Sequence, residues 1–196
     1  MALALGVEVN EPLALRPWDY PEVTRMLLGS DGSTALLESV AGGRLTAVLD
    51  HQEVLAPAAV PSVVREALQI EDEATPLLLR LTRLVTRERL TVSSDRVYLA
   101  AHDAARLLPP DDVPLLRFLD RERLSVQRRP LSYSARRWPH GRVHRWSVGR
   151  DYLLDCDGGA RIWVSEQFSP DYIPAAAAPS LGRAPDLAPP VGGGYG

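Results

Sequence analysis

A run of serine, aspartate and glycine between two apolar stretches has the clearest potential for anion chemistry. The segment Leu27–Glu38 reads Leu-Leu-Gly-Ser-Asp-Gly-Ser-Thr-Ala-Leu-Leu-Glu, which predicts a helix end, a turn and a second helix start near Ser33. Backbone amides at a helix start are unpaired and lie at the positive end of the helix dipole, so they suit a carboxylate or phosphate. The same residues are typical of ordinary helix capping. The spacing alone leaves both interpretations open.

Two charged residues interrupt apolar runs that otherwise predict strands. Arg80 lies within residues 76–85, and Glu166 lies within residues 162–168. A strand that faces a core must supply partners for such groups, because burying an unpaired charge is costly. Arg80 either points to water from an edge strand or offers its guanidinium to a ligand carboxylate. Glu166 either pairs with a structural arginine or lines a pocket, and Arg83, on the opposite face of the Arg80 strand, is the rival for the carboxylate.

The composition is that of one ordinary globular domain. The chain has 196 residues, of which 45% are hydrophobic and 24% charged, and its net charge of -3 gives no reason to expect nucleic acid as a partner. No apolar run approaches the roughly 20 residues that span a bilayer. The first residues lack the basic start of a signal peptide. We therefore expect a cytoplasmic protein without a membrane span.

The sequence predicts neither a metal site nor a cofactor. Cys156 is the single cysteine, and the four histidines (residues 51, 102, 140 and 144) show no metal-ligand spacing. No glycine-rich phosphate loop follows a strand and opens a helix, and no serine or cysteine lies in a nucleophile elbow. All 22 basic residues are arginine, so lysine Schiff-base chemistry is excluded and any substrate-binding cation must be a guanidinium.

Hydrophobic periodicity and turn residues predict an α+β fold. Short helices are predicted at residues 21–28, 34–40, 61–68, 103–108 and 113–120, and strands at residues 45–54, 76–85, 90–99, 123–137, 142–155 and 161–168. Short connections make most strand pairs antiparallel. We therefore predict a single domain, residues 20–170, with a mostly antiparallel sheet of about six strands and helices packed on one face. Residues 1–19 are predicted as an irregular lead-in, and the Pro/Ala/Gly-rich residues 171–196 as a disordered tail.

Four short motifs, in order, resemble those of the chorismate pyruvate-lyase family. They are the Ser-Asp-Gly-Ser turn at residues 27–38, Val-Pro-Leu-Leu-Arg-Phe-Leu at 113–119, the strand and Asp-Gly-Gly turn at 148–159, and Ile-Trp-Val-Ser-Glu-Gln-Phe-Ser-Pro at 162–170. Arg80 also matches the position of an arginine in that family. The resemblance covers roughly residues 20–170 and implies a chorismate lyase-like fold.

The resemblance implies a cofactor-independent lyase that converts chorismate to 4-hydroxybenzoate and pyruvate. Arg80 would bind the ring carboxylate, and Glu166 would contact the oxygen that bears the enolpyruvyl group. Backbone amides of Ser33 and Leu115 would complete the anion contacts. The implied partner is a small aromatic or enolpyruvyl carboxylate.

Departures from the family pattern keep two alternatives in view. Residues 86–89 replace the Asp-Gly-x-Pro hairpin of the family, and Leu116 replaces a glycine. Trp163 comes shortly before the glutamate, and residues 136–142 have no counterpart. The changes at Leu116 and Trp163 favour a pocket protein or a lyase-like enzyme of a specialised pathway acting on another carboxylate. The same fold is shared by UTRA ligand-binding domains of GntR-type regulators. The residues before Pro21 are too few for a winged helix, so we do not expect a complete regulator.

Overall fold

The computed structural model describes Leu27, residues 33–140 and residues 145–174 of the chain. Its strands are β1 (Thr46–Leu55), β2 (Leu77–Val85), β3 (Thr91–Ala100), β4 (Val126–Arg137), β5 (Trp146–Cys156) and β6 (Arg161–Phe168). Its α-helices are α1 (Ser33–Val40), α2 (Ser62–Leu68), α3 (Ala104–Leu107) and α4 (Leu115–Arg121). Short 3-10 turns occupy Pro57–Ala59, Ala101–Asp103 and Asp157–Gly159. The predicted helix at residues 21–28 lies outside the described residues except for Leu27, which is helical.

All six strands form one sheet in the order β1-β2-β3-β6-β5-β4, and every neighbouring pair is antiparallel. The predicted α+β class, strand number and pairing are confirmed. Strands β3 and β6 form the sheet centre, with strands on both sides, and β6 is buried along most of its length. Their pairing, from Ser93–Phe168 to Leu99–Ile162, joins two hairpin-built halves that are distant in sequence.

Side-chain alternation divides the sheet into two faces. We call the face that carries Leu78, Arg80 and Leu84 the front face, and the face that carries Leu79 and Arg83 the back face. Helices α1, α3 and α4 contribute apolar residues to the front-face core, as the expectation of helices on one face requires. Helix α2 is the departure, since its Val64 and Leu68 pack with back-face residues, including Leu79.

The packed domain continues past the predicted boundary at residue 170. Ile173 is buried in the front-face cluster with Leu37 and Phe168, and Pro174 forms an isolated bridge with Ser147. Residues 171–174 therefore belong to the fold rather than to the predicted tail. The remainder of that tail and the predicted lead-in lie outside the described residues. Within the described residues, no helix is long and apolar enough to cross a membrane.

Candidate functional site

A pocket lies on the front face, between the sheet centre and the segments that precede and begin α4. Thr82, Val97 and Val164 form its floor, and Leu108 and Leu115 belong to its opposite wall. Three charged side chains also line it: Arg80, Asp95 and Glu166. An apolar space with charged groups on a sheet floor is the usual form of a small-molecule site.

Arg80 lines the pocket from β2, and its side chain is only 5% exposed. Its guanidinium donates to Gln52 Oε1 at 3.0 Å, and to the Pro110 carbonyl oxygen and Asp111 Oδ1 at 3.4 Å each. The Asp111 side chain is 72% exposed. Burial lowers the pKa of Arg80, and Asp111 acts in the opposite direction. The closest partner of the buried cation is thus a neutral amide, and its carboxylate partner is a longer contact to an exposed side chain.

Arg83, the rival on the same strand, lies on the back face and is fully paired. Its Nε donates to Asp50 Oδ2 at 2.7 Å and its Nη2 to Asp50 Oδ1 at 2.6 Å. Both side chains are about one-third exposed, at 28% and 32%. Arg83 therefore has its own bidentate carboxylate, whereas Arg80 faces the pocket.

Glu166 is held by a buried arginine on the neighbouring strand. Arg150 Nε and Nη2 donate to the same oxygen, Glu166 Oε2, at 2.8 and 2.6 Å, and the two side chains are 2% and 5% exposed. Arg150 Nη1 also donates to the Leu27 carbonyl oxygen. Burial alone would lower the pKa of Arg150, but the Glu166 carboxylate and other neighbours outweigh it and raise that pKa. Glu166 is thus both a pocket-lining residue and the partner of a structural arginine.

Asp95 is directly opposite Glu166 in the β3–β6 pairing. Ser93 Oγ donates to Asp95 Oδ2 at 3.5 Å, while Asp95 Oδ1 is buried and has no hydrogen-bond partner among the described residues. Burial, and then the Glu166 carboxylate, raise the pKa of Asp95 well above its ordinary value; Ser93 and Arg150 act against them. Two neighbouring carboxyl groups therefore lie near one arginine, and Arg150 donates its carboxylate-directed hydrogen bonds to Glu166.

The two predicted backbone contacts begin helices next to the pocket. Leu115 is the first residue of α4, follows the cap residue Pro114, and lines the pocket itself. Ser33 is the first residue of α1, and the adjacent Thr34 lines the pocket. Of the four predicted site residues, Arg80, Glu166 and Leu115 line the pocket, and Ser33 is adjacent to the pocket-lining Thr34. Their roles toward a ligand stay predictions.

Sequence reasoning missed Arg150 as the partner of Glu166, and Asp95 as a second pocket acid. The alternation of β5 gave a signal for Arg150, since it shares a face with the apolar Val148 and Tyr152. Asp95 gave a weaker signal, because it lies in the polar run 93–96. The contacts of Arg150 and Asp95 with Glu166 depend on the strand registers of β5–β6 and β3–β6, which local sequence patterns do not specify.

Residues 136–142, which had no counterpart in the family pattern, lie where β4 ends. Arg136 extends over the back face, where it donates to Ser165 Oγ and Asp151 Oδ2 at 2.6 Å each. Trp138 is buried, and its ring contacts His140 edge-on at 5.1 Å between centroids. Residues 141–144 lie outside the described residues. The described part of the insertion therefore supports the back face and does not line the pocket.

No protein-family model matches this sequence, and no curated protein sequence matches it. Solved structures do share its fold. PhnF from Mycobacterium smegmatis superposes with a TM-score of 0.59 at 13% identity, covering 74% of this chain and 67% of that chain. The effector domain of the same protein gives a TM-score of 0.56 at 13% identity, covering 74% of this chain and 90% of that chain.

A third similar structure is the ligand-binding domain of a putative GntR-family transcriptional regulator from Bordetella bronchiseptica. Its TM-score is 0.53 at 12% identity, and the match covers 66% of this chain and 87% of that chain. At such low identity the likeness shows the fold alone. The chain therefore has the UTRA-like fold that GntR-family ligand-binding domains share, as the sequence resemblance implied for the fold.

Proposed function

We propose that this chain binds a small organic acid, with the ligand carboxylate on Arg80. The observation that carries the proposal is the buried Arg80 guanidinium, which lines an apolar pocket and has an exposed counter-ion at 3.4 Å. A ligand carboxylate can approach a guanidinium in a bidentate geometry that the longer Asp111 contact does not provide. The similar solved structures, two of which are described as an effector domain and a ligand-binding domain, support a binding role.

The spacing of Arg80 and Glu166 favours a ligand built on one ring. Arg80 and Glu166 lie two strands apart and two residues out of register, through the Arg80–Val97–Val164 row. Strand spacing and rise put their Cα atoms about 12 Å apart. Two inward-pointing side chains across that span leave room for one substituted ring over Val97 and Val164. The ligand class is therefore a small cyclic carboxylate.

Calorimetric titration with benzoate tests this binding role. Arg80→Ala removes a charge-assisted bidentate contact and should weaken binding by roughly 30- to 1,000-fold. Arg83→Ala is the matched control, since it removes an arginine from the same strand but from the back face, and its affinity should stay within about 2-fold of the unmodified chain. The proposal fails if both variants bind benzoate equally, or if Arg83→Ala is the weaker binder.

A second candidate function is chorismate pyruvate-lyase activity. The observation that favours it is that Arg80 and Glu166 line one pocket. These are the two side chains that the family resemblance implies as substrate contacts. In this reaction the enolpyruvyl ether C–O bond breaks, the ring loses a proton and becomes aromatic, and that proton ends on pyruvate. Orientation in a water-poor site and stabilisation of the charge on the ether oxygen would be the protein's contribution.

Incubation with chorismate separates the two candidates. A lyase forms 4-hydroxybenzoate and pyruvate in equal amounts, and Glu166→Gln should lower kcat while leaving affinity for 4-hydroxybenzoate nearly unchanged. A binding domain forms neither product, and the same substitution changes ligand affinity only. Pyruvate without 4-hydroxybenzoate would indicate a different chorismate-processing reaction.

A further inference from the structure

Two residues of β1 are the partners of the two arginines that strand β2 directs to opposite faces of the sheet. Asp50 accepts two hydrogen bonds from Arg83 on the back face. Gln52 lies directly opposite Arg80 in the β1–β2 pairing and shares the front face with it. The Oε1 atom of Gln52 accepts a hydrogen bond from Arg80 Nη1 at 3.0 Å. One strand therefore supplies a carboxylate to one arginine and a neutral amide to the other.

These partners leave the two guanidinium groups in different electrostatic surroundings. Hydrogen bonding to Asp50 raises the pKa of Arg83, while burial outweighs Asp111 and lowers the pKa of Arg80. Both arginines are charged at neutral pH, because the pKa of a guanidinium lies far above neutrality. The Gln52 amide carries no charge, so it satisfies one donor of Arg80 without neutralising the cation. The positive charge of Arg80 therefore stays available to an anion in the pocket.

The Gln52 contact also limits the direction of the guanidinium. It is the shortest hydrogen bond of Arg80, since the contacts of Nη2 with the Pro110 carbonyl oxygen and with Asp111 are 3.4 Å each. A planar guanidinium that is held at one nitrogen has few orientations left for its other donors. Gln52 is exposed at the sheet edge and does not line the pocket. Its effect on a ligand is therefore exerted through Arg80.

We infer that Gln52 is the positioning residue of the Arg80 anion site, because its amide orients the guanidinium and leaves the charge for the ligand. The inference rests on the proposed binding function and deepens it. A glutamate of the same shape would reach Arg80 in the same way, but it would supply the negative charge that the ligand otherwise brings. Residue 52 therefore decides whether Arg80 binds an external anion or forms an internal ion pair, as Arg83 does with Asp50.

The substitution Gln52→Glu tests the inference, with affinity measured by titration with benzoate at neutral pH and stability measured by thermal unfolding. Benzoate binding should weaken by roughly 10- to 100-fold, because an internal carboxylate competes for the guanidinium. Tm should rise by about 2–4 °C, since the buried Arg80 gains a counter-ion that stays partly hydrated at the sheet edge. A residue with only a structural role would lose affinity and stability together, so the opposite signs are diagnostic.

Three further variants of β1 are the matched controls. Gln52→Met removes the hydrogen-bond acceptor without adding charge, so it should weaken benzoate binding by only about 2- to 5-fold and lower Tm. Val54→Glu adds a carboxylate on the front face of the same strand, at an exposed position opposite Leu78. Its affinity should stay within about 2-fold of the unmodified chain, because the added charge is hydrated. Asp50→Asn, on the back face, should also leave the affinity unchanged.

The outcomes distinguish this inference from the proposed function. If benzoate does not bind, or binds equally well to Arg80→Ala, the proposed function fails. If benzoate binds through Arg80 but Gln52→Glu binds it as tightly as the unmodified chain, the role of Gln52 is refuted and the binding function stands. Equal losses in Gln52→Glu and Gln52→Met, or in Gln52→Glu and Val54→Glu, would refute it too. A lower Tm for Gln52→Glu would contradict the expected ion pair with Arg80 and overturn the inference.

Discussion

Arg80 and Arg83 are three residues apart on one strand, and their surroundings show how the two faces of the sheet differ. On the back face, Arg83 and Asp50 form a bidentate pair in which both groups are about one-third exposed. On the front face, Arg80 is buried while its counter-ion Asp111 is 72% exposed and 3.4 Å away. Arg83 and Asp50 are about equally exposed and form two short hydrogen bonds with each other. Arg80 is buried and has only one long contact to an exposed carboxylate, so its guanidinium can still bind a ligand anion. Under the proposed function, the unequal burial of Arg80 and Asp111, rather than the number of ion pairs, distinguishes the ligand-binding arginine from Arg83.

The acids of the front face extend the same comparison. Glu166 has a buried arginine of its own, and Asp95 does not. The front face thus has one complete buried pair, one incomplete cation and one incomplete acid. Both groups line the same pocket: Arg80 is paired with Val97 from β2, and Asp95 lies two residues from Val97 on β3.

The largest expected effect is on stability and comes from Arg150→Met. Removing one partner of a buried pair leaves Glu166 uncompensated, so the free energy of unfolding should fall by about 3–5 kcal/mol. The back-face substitution Arg83→Met should cost less than about 1 kcal/mol, because Arg83 and Asp50 are partly hydrated. Urea unfolding of both variants checks the contrast. Equal losses would show that the two faces are not energetically different.

The second effect concerns the end of the packed domain. Ile173 is 1% exposed in the front-face cluster, so its truncation to alanine should lower the free energy of unfolding by about 2–4 kcal/mol. Deletion of residues 175–196 should change it little, because their Pro/Ala/Gly composition cannot bury enough apolar surface. Thermal unfolding of the two variants compares them. A large loss on deletion of residues 175–196 would mean that this segment also contributes to the packing.

The third effect is smaller and depends on pH. The unfolded chain ionises Asp95 near its ordinary pKa, while the folded chain holds the proton to higher pH, so folding stability falls as pH rises between these two values. Asp95→Asn cannot ionise and should remove this loss, which raises Tm at neutral pH by about 2–4 °C for each kcal/mol recovered. Below the ordinary pKa of aspartate, the gain in Tm should vanish. A gain that is constant across pH would contradict the account.

The smallest expected effect tests the mismatch at Arg80 directly. Asp111→Asn removes the exposed competitor for the guanidinium and should strengthen benzoate binding by about 1.5- to 5-fold, the range of an exposed ion pair. Asp112→Asn, one residue further along, is the control and should leave the affinity unchanged. Weaker binding in Asp111→Asn would instead mean that the contact positions Arg80 for the ligand.

Much of the fold could be predicted from the sequence, because the relevant signals are local. The apolar run of β2, and the turn at Thr86–Arg89 with Arg89 at φ 66°, specify the β2–β3 hairpin within a short segment. The β3–β6 pairing and its register bring together residues about 70 positions apart, such as Asp95 and Glu166. No local pattern contains that information.

The candidate site was predictable to the same extent. Arg80 and Glu166 are identifiable from the sequence because each places a charge within an apolar strand. Asp111, which supplies the competing charge, lies in a loop whose path over β2 depends on tertiary packing. Asp95 can be recognised as a pocket acid without its own arginine only from the structure, which shows that Arg150 donates to Glu166.

A crystal structure of the chain with 4-bromobenzoate tests the central claim most directly, because the anomalous signal of bromine fixes the direction of the ring. The account predicts the ligand carboxylate within hydrogen-bond distance of the Arg80 guanidinium, the ring over Val97 and Val164, and bromine toward Asp95 and Glu166. A ligand bound at Arg83 on the back face, or one bound in the pocket with bromine at Arg80, would contradict it.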